Sequence, residues 1–572
     1  MAVVRASSLC RTAVRRCHSH RAAPLRPSAS LRRVGPVACA AAGGSRLSSS
    51  AGGAGAGAAA GGASAASAPE ASEAPVAGRL RVCVVGGGFG GLYTALRLDS
   101  LVWPNGAKPE VTLVDRSERF VFKPLLYELL NAGAEEWQVA PTFDELLKPT
   151  DVRYVRGAVA AVEYEPDADE AGRAGAVLLQ ADEADHASAG EVKVGAEEQG
   201  ARTLPYDWLV VATGAVARLE GVPGAKELAT PFATLEDARA VRARLDVLER
   251  RHAADGAKAT VVVVGGGYAG VELAVTVAEC MGGAALVRLV DGNADIMGSA
   301  APGQRAAARQ ALEDNGVVLS LGAYVDKLEP LAGEEQAVSK EEGLQPAIIT
   351  VGGQPIEADM VLWTVGMSPA TGAQGGVHAD SDAEAGAGVE CEAPGQQPFP
   401  FPLNARGMIE ADETLRIPGY PRAFAVGDVA SAVSRSGDEG ALSATAQVAF
   451  QQADYAAWNV WAAINGRTLL PFRYQHLGEM MALGKAGGAL SSDALGLLDR
   501  ALTLDGTVGG VARRAAYLYR MPTNEHRAKV AVSWAADPVL AALDIAKRSG
   551  APLAGELAQA VKAGSEAVRK QL

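Results

Sequence analysis

Cysteine is scarce and poorly placed for chemistry. Of the six, Cys10, Cys17 and Cys39 fall near the N-terminus, while Cys83, Cys280 and Cys391 lie far apart, with no CxxC or CxxxxC pair. That spacing offers neither a disulfide framework nor a zinc signature, and no EF-hand loop is visible, so no metal site is expected. Long apolar runs are missing as well: no stretch reaches the 18 residues of a bilayer-spanning helix. The first 69 residues lack Lys, Asp and Glu altogether but carry nine Arg among abundant Ser, Ala and Gly. Such a segment cannot bury a core. Residues 1–78 read as an organelle transit peptide, not a secretory signal, because Arg breaks up any compact apolar stretch in residues 1–30. An ordinary disordered basic tail is the alternative, and composition does not separate chloroplast from mitochondrion.

The chain beyond the leader is acidic and globular in composition. With the leader's arginines set aside, 44 basic residues face 66 acidic ones, a net charge of −22, which argues against nucleic acid as a partner. A chain of 572 residues, 48% of them hydrophobic, has room for two or three domains.

Two stretches repeat. Arg81–Leu98 reads RVCVVGGGFGGLYTALRL and Thr260–Val277 reads TVVVVGGGYAGVELAVTV, each a β-branched run, GGGxxG and a helical pattern. Each is succeeded by a strand-like run ending in an acid, VTLVD at Asp115 and VRLVD at Asp291. The offset is 179 residues at the first glycine and 176 at the acid, and the difference sits in the Trp103–Pro109 loop. Gly86 permits a tight turn out of the strand, Gly88 lets the backbone approach a pyrophosphate, and Gly91 allows close helix–strand packing. Phe89 and Gly90 open a helix whose N-terminus faces the phosphates. Asp115 stands where a carboxylate can accept from a ribose, and Gly265, Gly267, Gly270 and Asp291 repeat the set. One such fingerprint is weak, but two in strand–turn–helix–acid order predict two dinucleotide sites.

Other segments tell the sites apart. Leu209–Ala215, LVVATGA, is a strand ending in a Thr213–Gly214 turn, and Val361–Gly366, VLWTVG, is a similar turn. Ala423–Val429, AFAVGDV, delivers Gly427 and Asp428 from an apolar strand. That acid can accept from the ribityl hydroxyls of a flavin; the alternatives are an ordinary turn residue or the N-cap of a helical stretch at Leu442–Ile464. A late GD paired with the first fingerprint is what two-dinucleotide flavoproteins have, which puts FAD in the first site and NAD(P) in the second. Glu163–Arg202 and Thr371–Pro398 read as surface insertions, the first with VLLQ as a candidate strand, the second disordered.

GGGFGGLYTALRL, FVFKPLLYELL, LVVATG, GGGYAGVELA, AFAVGD and AQVAFQQ together resemble type II, non-proton-pumping NAD(P)H:quinone oxidoreductases. SLVWPNGAKPEV, PFRYQHLGEMMALG and RAAYLYRMPTNEHRAKVAVSW resemble the plastid C-type branch of plants and algae. The resemblance runs from about Leu80 to Trp534. It implies hydride transfer from NADH or NADPH to FAD, then two-electron reduction of a prenylquinone, either plastoquinone or a naphthoquinone of phylloquinone synthesis. It also implies that Glu272 lies near flavin and quinone, that Gln447 and Gln451 of AQVAFQQ belong to the quinone site, and that Lys123 lies near the flavin. Read without the resemblance, helix stabilisation is the alternative for Glu272, and the two glutamines, spaced i,i+4, read as solvent-facing.

The expected architecture is α/β: two Rossmann-like dinucleotide-binding domains, the NAD(P) domain nested within the FAD domain, plus a C-terminal membrane-associating extension. The FAD domain takes 79–225 and 399–485, the NAD(P) domain 226–368, the disordered insertion 369–398 and the extension 486–572. Asp291 suits the free 2′-hydroxyl of NADH and repels a 2′-phosphate, yet the resembling branch includes NADPH users and Arg288 is near, so NADH use with tolerance of NADPH is expected. Between Thr507 and Arg548 seven Lys/Arg face three acids. Val508, Val511, Ala515, Leu518 and Tyr519 share a helical face with Arg513, Arg514 and Arg520 outside it, the pattern of a helix lying on a bilayer. Packing on the enzyme's own core or on a dimer partner is the alternative, and a homodimer stays open. The expected location is a thylakoid or other plastid lipid surface, with the mitochondrion as a second address. Rival readings are a pyridine nucleotide–disulfide reductase, for which Phe120–Leu130 lacks the cysteine pair, a ferredoxin or rubredoxin reductase, and an NAD(P)H-sensing interaction protein.

Overall fold

Val82, Val84 and Val85 of β1 (Arg81–Val85) are almost fully buried, because this β-branched run is covered on both faces, as a central parallel strand must be. The computed structural model describes residues 79–165, 174–180, 202–331, 343–371, 399–432, 442–484, 488–492, 502–504, 506–548 and 554–571. The expected leader, residues 372–398 of the second insertion and most of the first insertion lie outside them.

α1 (Phe89–Ser100) follows β1 and returns the chain to β2 (Glu110–Asp115), parallel to β1. β3 (Arg153–Arg156) adds outside β2, and β4 (Trp208–Val211) adds on the other side of β1. Between β3 and β4 runs an antiparallel meander of Val159–Tyr164, Gly175–Leu179 and Thr203–Tyr206, whose middle strand contains the expected VLL segment. β5 (Ala215–Ala217) then leads out of this unit.

The second unit repeats the first. β6 (Ala229–Pro231), β7 (Ala259–Val264), β8 (Ala285–Asp291), β9 (Val318–Leu321) and β10 (Met360–Trp363) form a sheet in the order β9-β8-β7-β10-β6, with every neighbouring pair parallel. Thr234 and Asp237 form a capping box that starts α2 (Leu235–Asp255), and α3 (Tyr268–Met281) comes after β7. A second meander, Val325–Pro330, Ala347–Val351 and Gln354–Ala358, separates β9 from β10. Its outer strands, VDKLEP and QPIEA, are largely polar, so periodicity does not announce them; pairing to buried Ile349 and Val351 orders them.

β11 (Met367–Pro369) pairs antiparallel with β5, so the two connections between the units lie side by side. β12 (Ala423–Ala425) then pairs in parallel with β4 and completes the first sheet as β12-β4-β1-β2-β3. This is the nested plan. α4 (Ala446–Ile464) starts four residues later than the pattern suggests, because the Thr445 side chain caps it by accepting Val448 N–H at 3.2 Å. α1 packs along α4.

A small antiparallel sheet of β13 (Glu479–Ala482), β14 (Gly488–Ser492) and β15 (Leu502–Leu504) runs across the boundary expected at 485/486. The extension then forms α5 (Gly506–Arg520), α6 (Asn524–Arg548) and α7 (Ala554–Gln571). Among the described residues no helix is long and apolar enough to cross a membrane.

Candidate functional site

The two glycine turns are built alike. Gly86 has φ +100° and Gly265 φ +113°, a region that side chains rarely adopt. A Cβ at Gly91 would fall 1.7 Å from the Gly86 carbonyl oxygen, and one at Gly270 would fall 1.7 Å from that of Gly265. Gly88 and Gly267 differ from these: a Cβ there would meet nothing within 4 Å. The outer glycines are thus demanded by packing, and the middle one opens on the space a pyrophosphate would fill. α1 and α3 start at Gly88 and Gly267 with no side-chain cap, which leaves their first-turn N–H groups to a ligand.

The two acids are aimed by the backbone. Asp115 accepts Gly87 N–H at 2.5 Å and Ser117 N–H at 2.7 Å. Asp291 accepts Gly266 N–H at 2.5 Å and Asn293 N–H at 2.7 Å. Each carboxylate is therefore tied to its own glycine turn. The guanidinium of Arg288 turns to Ser320 at 2.9 Å, and Arg305 and Arg309 both pair with Asp295.

The first unit gains a further wall from β12. The Thr213 hydroxyl donates to Ala370 O at 3.0 Å, and Gly214 has φ +72°. A Cβ at Gly90 would come within 3.0 Å of Val426, the residue after β12. Gly427, at φ +75°, donates its N–H to Gln452 Oε1 at 2.7 Å, and Asp428 comes next, half-buried. Burial pushes the Asp428 carboxyl up, and the Lys123 ammonium opposes that shift. Thr445 caps α4, which removes that role from Asp428. Gln452 escapes the sequence reading, although it adjoins Gln451; only the fold shows that it braces the Gly427–Asp428 turn. A glycine cradle, a carboxylate at the ribose position and a second carboxylate across the cleft fit FAD, and the glycine turn and acid of the second unit fit NAD(P)H.

Glu272 lies in the second turn of α3 but turns away from its own helix. It is 7% exposed and accepts Ala482 N–H, at the end of β13, at 2.7 Å. Burial pushes its carboxyl up to about 7, while the Ala482 N–H and Arg513 pull the other way. Gln447 and Gln451 are not simply solvent-facing. Gln447 donates to Gly478 O at 3.1 Å and accepts Leu477 N–H at 3.1 Å and the Tyr474 hydroxyl at 2.5 Å. Gln451 both donates to and accepts from the Gln475 backbone, at 2.9 and 3.0 Å. The two amides clamp the extended segment that leads into β13 and so onto Glu272. The fold thus brings the GVELA and AQVAFQQ motifs together through one extended segment.

α5 closes over this region with the face that carries its arginines. Phe89 packs edge-on against Phe120 and Phe122, and Phe122 packs edge-on against Tyr517. Arg513 pairs with Glu128 at 2.7 Å, Arg514 with the same carboxylate at 3.0 Å, and Arg520 lies 4.1 Å over the Phe450 ring. The arginines therefore face the enzyme, a side that the periodicity leaves open. Glu128 draws two of them inward, because a buried carboxylate needs positive partners. Cys83 is buried in β1, where burial pushes its thiol up to about 12, and Cys280 lies on α3, so neither forms a redox pair at the site. Among the described residues no cluster of metal-ligating side chains occurs.

Comparison with known proteins agrees with this geometry. The pyridine nucleotide-disulphide oxidoreductase family pattern matches residues 80–453. The chain is 45% identical over 466 residues to the alternative NAD(P)H-ubiquinone oxidoreductase C1, chloroplastic/mitochondrial, of Arabidopsis thaliana, covering 82% of each chain. It is 34% identical to demethylphylloquinone reductase NdbB of Synechocystis sp., covering 81% of this chain and 97% of that one. The solved NDH2 from Plasmodium falciparum in complex with NADH shares the fold, with a TM-score of 0.57 at 14% identity over 78% of this chain and 96% of that one. The chain belongs to the pyridine nucleotide-disulphide oxidoreductase family, whose two-dinucleotide fold it has in full. Within that family it is a type II NAD(P)H:quinone oxidoreductase of the plastid C-type branch. It uses FAD and NAD(P)H, and a quinone is its electron acceptor.

Proposed function

We propose that this enzyme works peripherally on a plastid lipid surface, oxidising NADH, with NADPH also accepted, and reducing a membrane prenylquinone of the plastoquinone or phylloquinone-pathway naphthoquinone type. The overall change is NAD(P)H + H⁺ + quinone → NAD(P)⁺ + quinol, and the bound flavin supplies the two-electron relay between the two substrates. Gly86, Gly88, Phe89, Gly90, Gly91, Asp115, Lys123, Thr213, Gly214, Gly427 and Asp428 hold the flavin nucleotide. Gly265, Gly267, Gly270 and Asp291 hold the nicotinamide coenzyme. Glu272, protonated near neutral pH by its burial, supplies a proton to the quinone oxygen. Gln447 and Gln451 shape the quinone site by fixing the extended segment beside it. Residues 79–225 and 399–485 serve as the FAD domain, 226–368 as the NAD(P) domain, and 1–78 as a leader removed on import.

The membrane reading rests on the exposure of α5. Val511 is 66% exposed and Tyr519 69%, with Ala515 also exposed between them, whereas Arg513 on the opposite side of α5 is 1% exposed. A helix that buries arginine and offers an apolar stripe to solvent suits a lipid surface into which the stripe can dip. Leu518 is half-buried, and the side chain of Val508 lies outside the described residues. Attachment through α5 therefore draws on apolar contact more than on its basic charge. The relatives' names, which include a chloroplastic address and a demethylphylloquinone substrate, support the same setting. Leaderless protein with Val511→Asp and Ala515→Asp should lose vesicle binding and reduce vesicle-borne prenylquinone about ten-fold more slowly, yet still reduce a soluble short-chain quinone. Unchanged pelleting with vesicles would count against α5 as the attachment.

A further inference from the structure

We propose that Arg513, carried in by the C-terminal extension, is a positioning residue for quinone reduction: with Glu128 it sets the charge state of Glu272. The inference rests on the reading of Glu272 as proton donor to the quinone. Its basis is where the fold puts these groups. The Arg513 side chain is 2% exposed, Nη2 is 2.7 Å from Glu128 Oε1, and the guanidinium lies 5.3 Å over the Tyr517 ring. Docking on the enzyme alone would be served by an apolar residue at lower desolvation cost. Glu128 lies near the end of a 3₁₀ segment, Lys123–Leu129, that packs against α3, the helix of Glu272. β13, whose Ala482 N–H holds Glu272, packs against α5, the helix of Arg513. Arg513 thus bonds to a segment packed on the Glu272 helix and lies on the helix packed against the strand that holds Glu272.

The groups facing Glu272 come from three elements. α5 contributes Arg513 and Tyr517, and the 3₁₀ segment contributes Glu128 and Tyr127. Tyr268 lies one turn earlier on α3 and is coupled to Glu479 of β13, and Arg514 reaches Glu128. The tyrosines are neutral in the working range, because burial pushes Tyr127, Tyr268 and Tyr517 up. Two charges of opposite sign therefore act on Glu272: the Arg513 guanidinium favours its anion and the Glu128 carboxylate favours its acid. The extension consequently reaches past the lipid surface to the proton donor. A proton given by Glu272 to the reduced quinone leaves an anion, and Arg513 is the fixed positive charge that tolerates it until solvent restores the proton.

The test is the pH profile of quinone reduction by the flavin-loaded enzyme, measured as kcat/KM for a soluble short-chain quinone at saturating NADH. Wild type should lose activity on the alkaline side of a limb near the Glu272 value, and Glu272→Gln should abolish the limb. Arg513→Gln should move it upward by about one pH unit, Arg513→Lys should bring it back, and Glu128→Gln should move it downward. Shifts of opposite sign are what a merely structural contact does not give. A limb unmoved in flavin-replete Arg513→Gln overturns the proposal. If that variant loses its flavin, Glu128→Gln decides, and an unmoved limb there overturns it equally. A limb that survives Glu272→Gln instead removes the reading of Glu272 as the donor, a separate failure that the single variant identifies.

Discussion

The two dinucleotide units use nearly the same eighteen-residue solution, and they differ most in what stands opposite it. In each, a buried valine strand ends on a glycine of positive φ, a helix starts on a bare middle glycine, and an acid on the next strand ties back to the turn. The fifth strand separates them. In the first unit β12 comes back from beyond the nested domain and leads into Gly427–Asp428. In the second, β6 arrives from upstream and leads straight into the capping box of α2 at Thr234. The first unit therefore gains a second acid, Asp428, from its fifth strand. This suits a cofactor that stays and a coenzyme that must leave, since extra polar anchors slow dissociation. The C-terminal helices add to the imbalance, because Arg513, Arg514, His526 and Ser533 all bond to the first unit, at Glu128 and Gln138.

The largest effect should come from the third glycine. Gly91→Ala and Gly270→Ala create the same clash with a carbonyl oxygen. Gly91→Ala should yield protein purified without flavin, read from the visible spectrum. Gly270→Ala should keep its flavin and raise KM for NADH by roughly 10- to 100-fold. Flavin loss from the second variant would break the assignment of sites. A smaller effect is expected at the acids. Asp291→Ala should lower kcat/KM for NADH by about ten-fold and leave NADPH nearly unchanged, while Asp115→Ala should weaken flavin retention without altering that ratio. A strong NADPH preference in the wild type would show that Asp291 does not read the ribose. The smallest effect concerns docking of the extension on the first unit. His526 is held neutral by burial, its value lowered from 6.5 to about 4, with a ring nitrogen 3.1 Å from Gln138 O. The undocked helix takes up a proton below 6.5 that the docked one refuses. Docking is therefore fully stable above that pH and loses on the order of 3 kcal/mol as pH falls toward 4. Amide exchange along Asn524–Trp534 should accelerate over that window, and His526→Gln should flatten the dependence.

Much of the site is legible in the chain because its physics is local. A tight turn, a close helix–strand approach and a carboxylate one strand away each demand a particular residue at a short, fixed spacing, so Gly86–Gly91 and Gly265–Gly270 announce themselves. Gln452 illustrates the opposite case. Its neighbours Gln447 and Gln451 attract attention by their spacing, yet Gln452 holds the Gly427–Asp428 turn, through a bond between residues 25 apart. The polar strands of the second meander are equally silent, since their order comes from a partner strand and not from their own pattern.

Residue identity at short range is enough to establish that this protein binds two dinucleotides, lacks a cysteine relay and has the pattern of a quinone-reducing flavoenzyme. Which way α5 turns is a matter for long-range packing. The periodicity places three arginines beside an apolar stripe and leaves open which side meets the enzyme. Glu128 is 385 residues away from Arg513 in the chain and would otherwise be a buried, uncompensated charge. By drawing Arg513 inward it leaves Val511 and Tyr519 to the outside.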